Sequence, residues 1–250
     1  MSQELTGKVA VITGAGRNIG RAIALALADG GASILVNARS NRAEAEAAAR
    51  EIETLGVKAL VHIGDVANPE AVQAMAEMAV KQFGGIDILV NNAALRREKP
   101  FDEMSYADWR EIMDVTLDGA FHCTKACLAA LRKSAAGTII NIGGLSAHTG
   151  AKYRAHVVTA KAGIVGFTRA LASELASDGV TVNCVVPGLI GTPRAKDKPE
   201  PAHHLTHQTL TGERGKPDDV AALVRFLCGP GARYVTGQAI HANGGAYLGG

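Results

Sequence analysis

From residue 8 almost to its end the chain alternates short apolar runs with longer amphipathic ones, and this alternation constrains the fold most. "KVAVITG" (8–14) reads as a strand, and "NIGRAIALALADGG" as the helix that follows it, closed by glycine. "SILVNAR" (33–39), "KALVHIGDV" (58–66) and "IDILVNNAA" (86–94) read as further strands. Between them lie the helical stretches "AEAEAAAREIETLG" and "PEAVQAMAEMAVKQFG", the second entered by proline and left by glycine. Two helical stretches follow, 105–134 and, after the strand "GTIINIGG", 153–177. "VTVNCVVPG", the helix "PDDVAALVRFLCG" and a last strand, "GQAIHANGG", complete the series. Strands apolar at nearly every position need cover on both faces. The expected fold class is therefore α/β: a doubly wound parallel sheet of Rossmann type, in a single domain spanning 1–250.

Apolar residues make up 47% of the chain, enough for one large core, and charged residues 20%, which argues against disorder. A net charge of +2 points to no nucleic-acid or membrane partner. No apolar run reaches the roughly 18 residues of a membrane helix, and the N-terminus has no signal pattern, so the expected compartment is the cytoplasm. Cys123 and Cys127 lie one helical turn apart, and Cys184 and Cys228 stand alone. All four read as buried free thiols.

"VITGAGRNIGRAIA" sets its glycines where a strand turns into a helix, a geometry that lets backbone N–H groups approach a pyrophosphate. The spacing resembles the T-G-x-x-x-G-x-G pattern of the short-chain dehydrogenase/reductase family, carried by Thr13, Gly14 and Gly20, with Asn18 at the middle glycine. Asparagine tolerates positive φ, so the turn can survive that exchange. "GDV" (64–66), "NNAA" (91–94), "VPGLIGT" (186–192) and "VTGQAIHANGG" resemble further family motifs in order. The resemblance implies a dinucleotide held by Gly14, Arg17, Asn18, Ile19, Gly20 and Arg39, by Asp65 and Val66, and by Asn92, Ala93 and Ala94. It adds Lys161, Pro187, Gly188, Ile190 and Thr192 at the nicotinamide end. Ala38 stands where NAD-binding members often carry Asp, and Arg17 and Arg39 offer guanidinium groups without a carboxylate. That combination suits a 2′-phosphate, so the expected cofactor is NADP(H), with NAD(H) second; the bland alternative is that Arg39 stacks on adenine.

The same resemblance implies a catalytic serine, tyrosine, lysine and asparagine. Only Lys161 matches: Val157 occupies the tyrosine position, Gly144 the serine position and Thr116 the asparagine position. Tyr153 lies eight residues before Lys161, not four, a gap that no loop insertion repairs inside a helix. Losing a general acid costs on the order of 10²–10⁴ in rate, and losing an oxyanion donor roughly 10²–10³. Ser146, His148, Tyr153 and His156 are the candidate substitutes, each weighed against a plain loop or surface role.

Arg96, Arg97, Arg154, Arg194, Lys196 and Lys198, with "HHLTH" (203–207), make a basic rim. They suggest an anionic small-molecule substrate (a carboxylate, a phosphate ester or an acyl thioester carrier) against the alternative of a solvated surface. His203 and His207 have no third ligand beside them, so no metal is expected. Residues 191–215 read as a mobile flap over the site. Family members commonly form tetramers, and the small residues of 116–131 and 157–176 permit close helix approach, so a homotetramer is expected. The leading function is an NADP(H)-dependent oxidoreductase on a carbonyl or alcohol with a non-standard site. The alternatives are a silent dinucleotide-binding protein and a non-redox enzyme on the same fold.

Overall fold

The computed structural model describes residues 3–192 and 208–249. β1 (Val9–Ile12), β2 (Ser33–Ala38), β3 (Ala59–Ile63), β4 (Ile88–Asn91), β5 (Thr138–Ile142), β6 (Thr181–Pro187) and β7 (Ala239–Ala242) form one seven-stranded sheet. Its order is β3-β2-β1-β4-β5-β6-β7, and every pairing is parallel. Strand residues alternate between two cores, as a period of two requires. Ile12, Ile34, Val90 and Ile140 face α1 (Asn18–Asp29) and α8 (Pro217–Cys228). Val11, Leu35, Leu89 and Ile139 face α3 (Pro69–Phe83), α5 (Gly119–Lys133) and α7 (Ala155–Leu175). The four cysteines are buried free thiols, as read. No helix among the described residues is long and apolar enough to cross a membrane.

Helix ends follow their punctuation. Asn68 caps α3 ahead of Pro69, and Gly84 closes it at φ +92°. Asn41 caps α2 (Arg42–Glu53) by accepting from the Glu44 N–H at 3.2 Å. Ser105 and Asp108 form a capping box on α4 (Tyr106–Met113).

The stretch 105–134 is helical from Tyr106 to Lys133, with a π turn, Asp114–Asp118, between α4 and α5. One helical expectation needs correction. The 153–177 helix starts later, because Tyr153 takes φ +63°, a left-handed conformation that cannot begin an α-helix, and α7 opens only at Ala155. A short helix, α6 (Ser146–Thr149), precedes it. Of the 191–215 segment, residues 193–207 lie outside the described residues, and Arg194, Lys196, Lys198, His203 and His207 with them. In the described remainder Gly215 N–H donates to Leu189 O at 3.0 Å, and Thr211 N–H to Gly244 O at 3.2 Å.

Candidate functional site

Strand order reverses between β1 and β4, and at the carboxyl ends of these strands lies a groove of about 690 Å³. Gly14, Arg17, Asn18, Ile19, Gly20 and Arg39 line it. Asp65, Val66, Asn92, Ala93, Ala94 and Thr192 continue its wall. Arg17 precedes α1 with no capping side chain, and the first turn holds no acidic residue, so its orphan N–H groups are left for an anion. A Cβ on Gly20 would stand 2.3 Å from Gly14 O, so only glycine lets helix and loop close to this distance. Asn18 sits at φ +50°, the positive value its amide side chain tolerates.

The neighbouring loop is bolted to this one. Thr13 Oγ1 accepts from the N–H groups of Asn92 and Ala93, both at 3.0 Å, while Asn92 Nδ2 donates to Thr13 O at 2.8 Å. The groove's further lining includes Gly16, Asn37, Ser40, Asn41 and Glu44, which sequence reasoning missed. One signal could have found them: "NRAE" (41–44) carries an N-cap spacing that puts the α2 N-terminus at the strand end. This cradle fits a dinucleotide: a close-packed glycine turn, two arginines and two helix N-termini.

The chemistry end lies around β5 and α7. Lys161 is 8% exposed, and its Nζ donates to Ile142 O at 2.5 Å. Burial pushes its pKa down to about 8, helped by the cations Arg96 and Arg154 and opposed by Cys184. Arg154 is also buried, and its own ionisation is lowered by burial and then by Arg96, while Glu98 partly offsets this. Gly144 lies alongside: a Cβ there would touch Lys161 Cγ at 3.6 Å. Val157 is buried among Ile112, Met113 and Ala160. Thr116 is buried in the π turn, its Oγ1 without a hydrogen-bond partner among the described residues. Pro187 and Gly188 end β6 beside this loop: Leu145 N–H donates to Pro187 O at 3.1 Å, and Gly188 N–H to Ala242 O at 2.9 Å. Ile190 bridges to Gly215.

The four candidate proton donors fall in different surroundings. Ser146 is buried at the start of α6. His148 stacks edge-on to His241 at 4.6 Å between ring centroids and lies 5.4 Å from Tyr247. Burial, then the field of Arg169, lowers its pKa. His156 is wholly buried, and burial lowers its pKa, partly opposed by the Arg154 backbone beside it. Tyr153 is 41% exposed, with the Lys152 ammonium 4.7 Å from its ring centroid. Its carbonyl accepts from the Lys99 N–H at 2.8 Å. Among the described residues, no three His, Cys, Asp or Glu side chains gather as a metal site.

Residues 14–247 match a family model described as enoyl-(acyl carrier protein) reductase. The 3-oxoacyl-[acyl-carrier-protein] reductase FabG of Vibrio cholerae is 40% identical over 245 residues, covering 98% of this chain and 99% of that one. A short chain dehydrogenase from Burkholderia cenocepacia, solved in complex with NADP, superposes with a TM-score of 0.91 at 34% identity, over 97% of this chain and 99% of the other. The chain belongs to the short-chain dehydrogenase/reductase family. A second short-chain dehydrogenase/reductase relative, the 3-oxoacyl-[acyl-carrier-protein] reductase of Synechocystis, is also 40% identical, over 98% of each chain. A metagenomic blue fluorescent protein solved with NADPH matches with a TM-score of 0.91 at 34% identity, over 98% of this chain and all of that one. The shared fold accounts for the sheet order.

Proposed function

We propose that this short-chain dehydrogenase/reductase is an NADP(H)-dependent oxidoreductase of carbonyl or alcohol groups, whose polarising groups are cationic rather than phenolic. One observation carries the reading: the glycine-turn groove is built, Lys161 is buried at the end of β5, and positions 144 and 157 contribute no hydroxyl. The NADP and NADPH complexes of the structural relatives support the phosphorylated cofactor, as do Arg17 and Arg39 in the groove wall. Such a cofactor, when bound, supplies or takes the hydride.

The chain's own residues do the rest. The α1 N-terminus and Gly14–Gly20 turn hold the pyrophosphate, Arg17 and Arg39 the 2′-phosphate, and Lys161 the nicotinamide ribose. The positive field of Lys161, Arg96 and Arg154 stabilises negative charge on the substrate oxygen as it develops. It also selects an anionic or acyl substrate. Ser146 and His156, both buried near the vacant positions, are the proton sources favoured over exposed Tyr153 and ring-stacked His148. Small exposed residues along α7, Thr159, Ala162 and Gly166, support subunit packing in a homotetramer.

A panel of carbonyl compounds followed at the reduced-nicotinamide absorbance tests the reading. Turnover on any of them supports it. Tight NADPH binding with no oxidation across the panel would favour the second reading, a silent dinucleotide-binding protein, whose motivation is the hydrocarbon environment of Val157.

A further inference from the structure

The far end of the groove, away from Lys161, holds a pair of buried side chains that the proposed chemistry leaves unused. Asn37 is the next-to-last residue of β2, and His62 stands opposite it on the edge strand β3. Both are buried, yet Asn37 also lines the dinucleotide groove. Its amide nitrogen, Nδ2, donates to Gly64 O at 3.0 Å and faces His62 Nδ1 at 3.3 Å. The first contact fixes the amide. Turned over, Oδ1 would oppose the Gly64 carbonyl, acceptor against acceptor in a buried place. The second contact then fixes the imidazole, because an amide nitrogen only donates and Nδ1 must accept. His62 is thus neutral with its proton on Nε2, in keeping with the burial that lowers its pKa. Gly64 closes over the ring: a Cβ there would stand 2.5 Å from His62 Cε1, an approach that only glycine allows.

With Nδ2 held inward, the atom this amide offers the groove is its oxygen. Successive strand residues point to opposite faces, so Asn37 and Ala38 look to different parts of a dinucleotide. Position 38 belongs to the ribose, where an acid would accept the hydroxyls of NAD. The base is left for Asn37. The 6-amino group of adenine carries two hydrogens and can serve two acceptors, and Asp65 lies in the same wall. Resting on the NADP(H) reading above, we infer that Asn37 Oδ1 accepts one hydrogen of the adenine 6-amino group, and that His62 is the positioning residue that holds the amide in this orientation. The groove then tells a 6-amino purine from a 6-oxo one. Hypoxanthine brings a carbonyl oxygen to that point, and Oδ1 repels it.

Calorimetric titration of the full chain with NADP⁺ and with nicotinamide hypoxanthine dinucleotide phosphate tests this without turnover. The unaltered protein should bind NADP⁺ at least about 10-fold more tightly, the effect of losing one buried hydrogen bond. Asn37→Leu, close in volume, should bring the ratio of the two Kd values near one. His62→Phe keeps a ring but no acceptor and should lower the ratio as well. His62→Asn, whose Oδ1 takes the place of Nδ1, should restore it. A merely structural role would weaken both dinucleotides together and leave the ratio alone. If Asn37→Leu does not melt cooperatively, the ratio in the unaltered protein and the two His62 variants decide. Equal affinities in the unaltered protein, or tighter binding of the hypoxanthine form, would overturn the inference. A ratio that persists in folded Asn37→Leu would also overturn it and give the base to Asp65. The expected ratios with no carbonyl compound turned over would sustain the inference and defeat the oxidoreductase reading. Binding of neither dinucleotide would defeat both.

Discussion

Lys161 reaches from α7 to the end of β5, where its ammonium donates a 2.5 Å hydrogen bond to the Ile142 carbonyl. Burial first, then Arg96 and Arg154, hold its pKa at about 8, against an ordinary 10.5. Below about pH 8 the native chain carries a buried charge that the unfolded chain solvates freely. Between about 8 and 10.5 the native lysine is neutral while the unfolded one still binds its proton, so unfolding takes up a proton and stability rises with pH. The full swing is on the order of 3 kcal/mol. Denaturant midpoints of the cofactor-free protein and of Lys161→Met, measured across that window, should diverge. Parallel curves would show that the lysine is not held as described.

His156 depends on pH in the same direction, in a more acidic window. Its pKa is lowered by burial, so the unfolded chain takes up a proton below about pH 6.5 before the native one does, and stability falls as pH drops. Replacing a wholly buried imidazole whose charging burial opposes should stabilise. His156→Leu is expected to gain about 1 kcal/mol, roughly 2–4 °C in Tm for a chain of this size, and to flatten the acid loss. If His156 is also the proton source, the same variant loses turnover while keeping NADPH affinity, which separates the two roles.

In the proposed reading Arg39 and Arg17, both in the groove wall, set the choice of dinucleotide. Arg39→Ala should weaken NADPH by about 10-fold or more, in line with roughly 1.5–3 kcal/mol for a charged hydrogen bond, and leave NADH nearly unchanged. Equal losses for both dinucleotides would mean that Arg39 stacks on adenine instead.

Gly20→Ala puts a carbon 2.3 Å from Gly14 O. Overpacking of this kind costs roughly 1–3 kcal/mol or more, so Tm should fall by several degrees and dinucleotide affinity with it. Unchanged melting and binding would show that the turn relaxes freely.

A phenol can be offered back to the site. Gly144→Ser fits without strain, since its Cβ would meet Lys161 only at 3.6 Å. With Val157→Tyr added, reduction of neutral ketones should rise on the order of 10²–10⁴. Val157 is packed against Ile112 and Met113, so the double variant must first be shown to melt cooperatively. No gain in a folded variant would argue that the missing hydroxyls are not what limits the enzyme.

Much of this was legible in the residues. Apolar runs alternating with capped amphipathic ones dictate a covered parallel sheet, and proline at 69 with glycine at 84 marks both ends of α3. The positive φ at Asn18 agrees with an asparagine standing where the family pattern has glycine. The π turn did not show, because the residues on either side of it keep helical spacing and only the hydrogen-bond ladder slips by one. Tyr153 was hidden for a related reason: an aromatic residue carries no signal for a left-handed backbone that a neighbouring loop imposes. The depth of Arg154 was equally silent, since arginine is read as surface until its surroundings are known.

The 2.8 Å bond from Lys99 N–H to Tyr153 O ties the segment after β4 to the segment before α7 through main-chain atoms. This tie survives the exchange of exposed side chains on either strip. A lineage built on this scaffold can retune what it admits one residue at a time, and a library confined to positions 95–99 and 151–154 is the natural place to recruit new specificities.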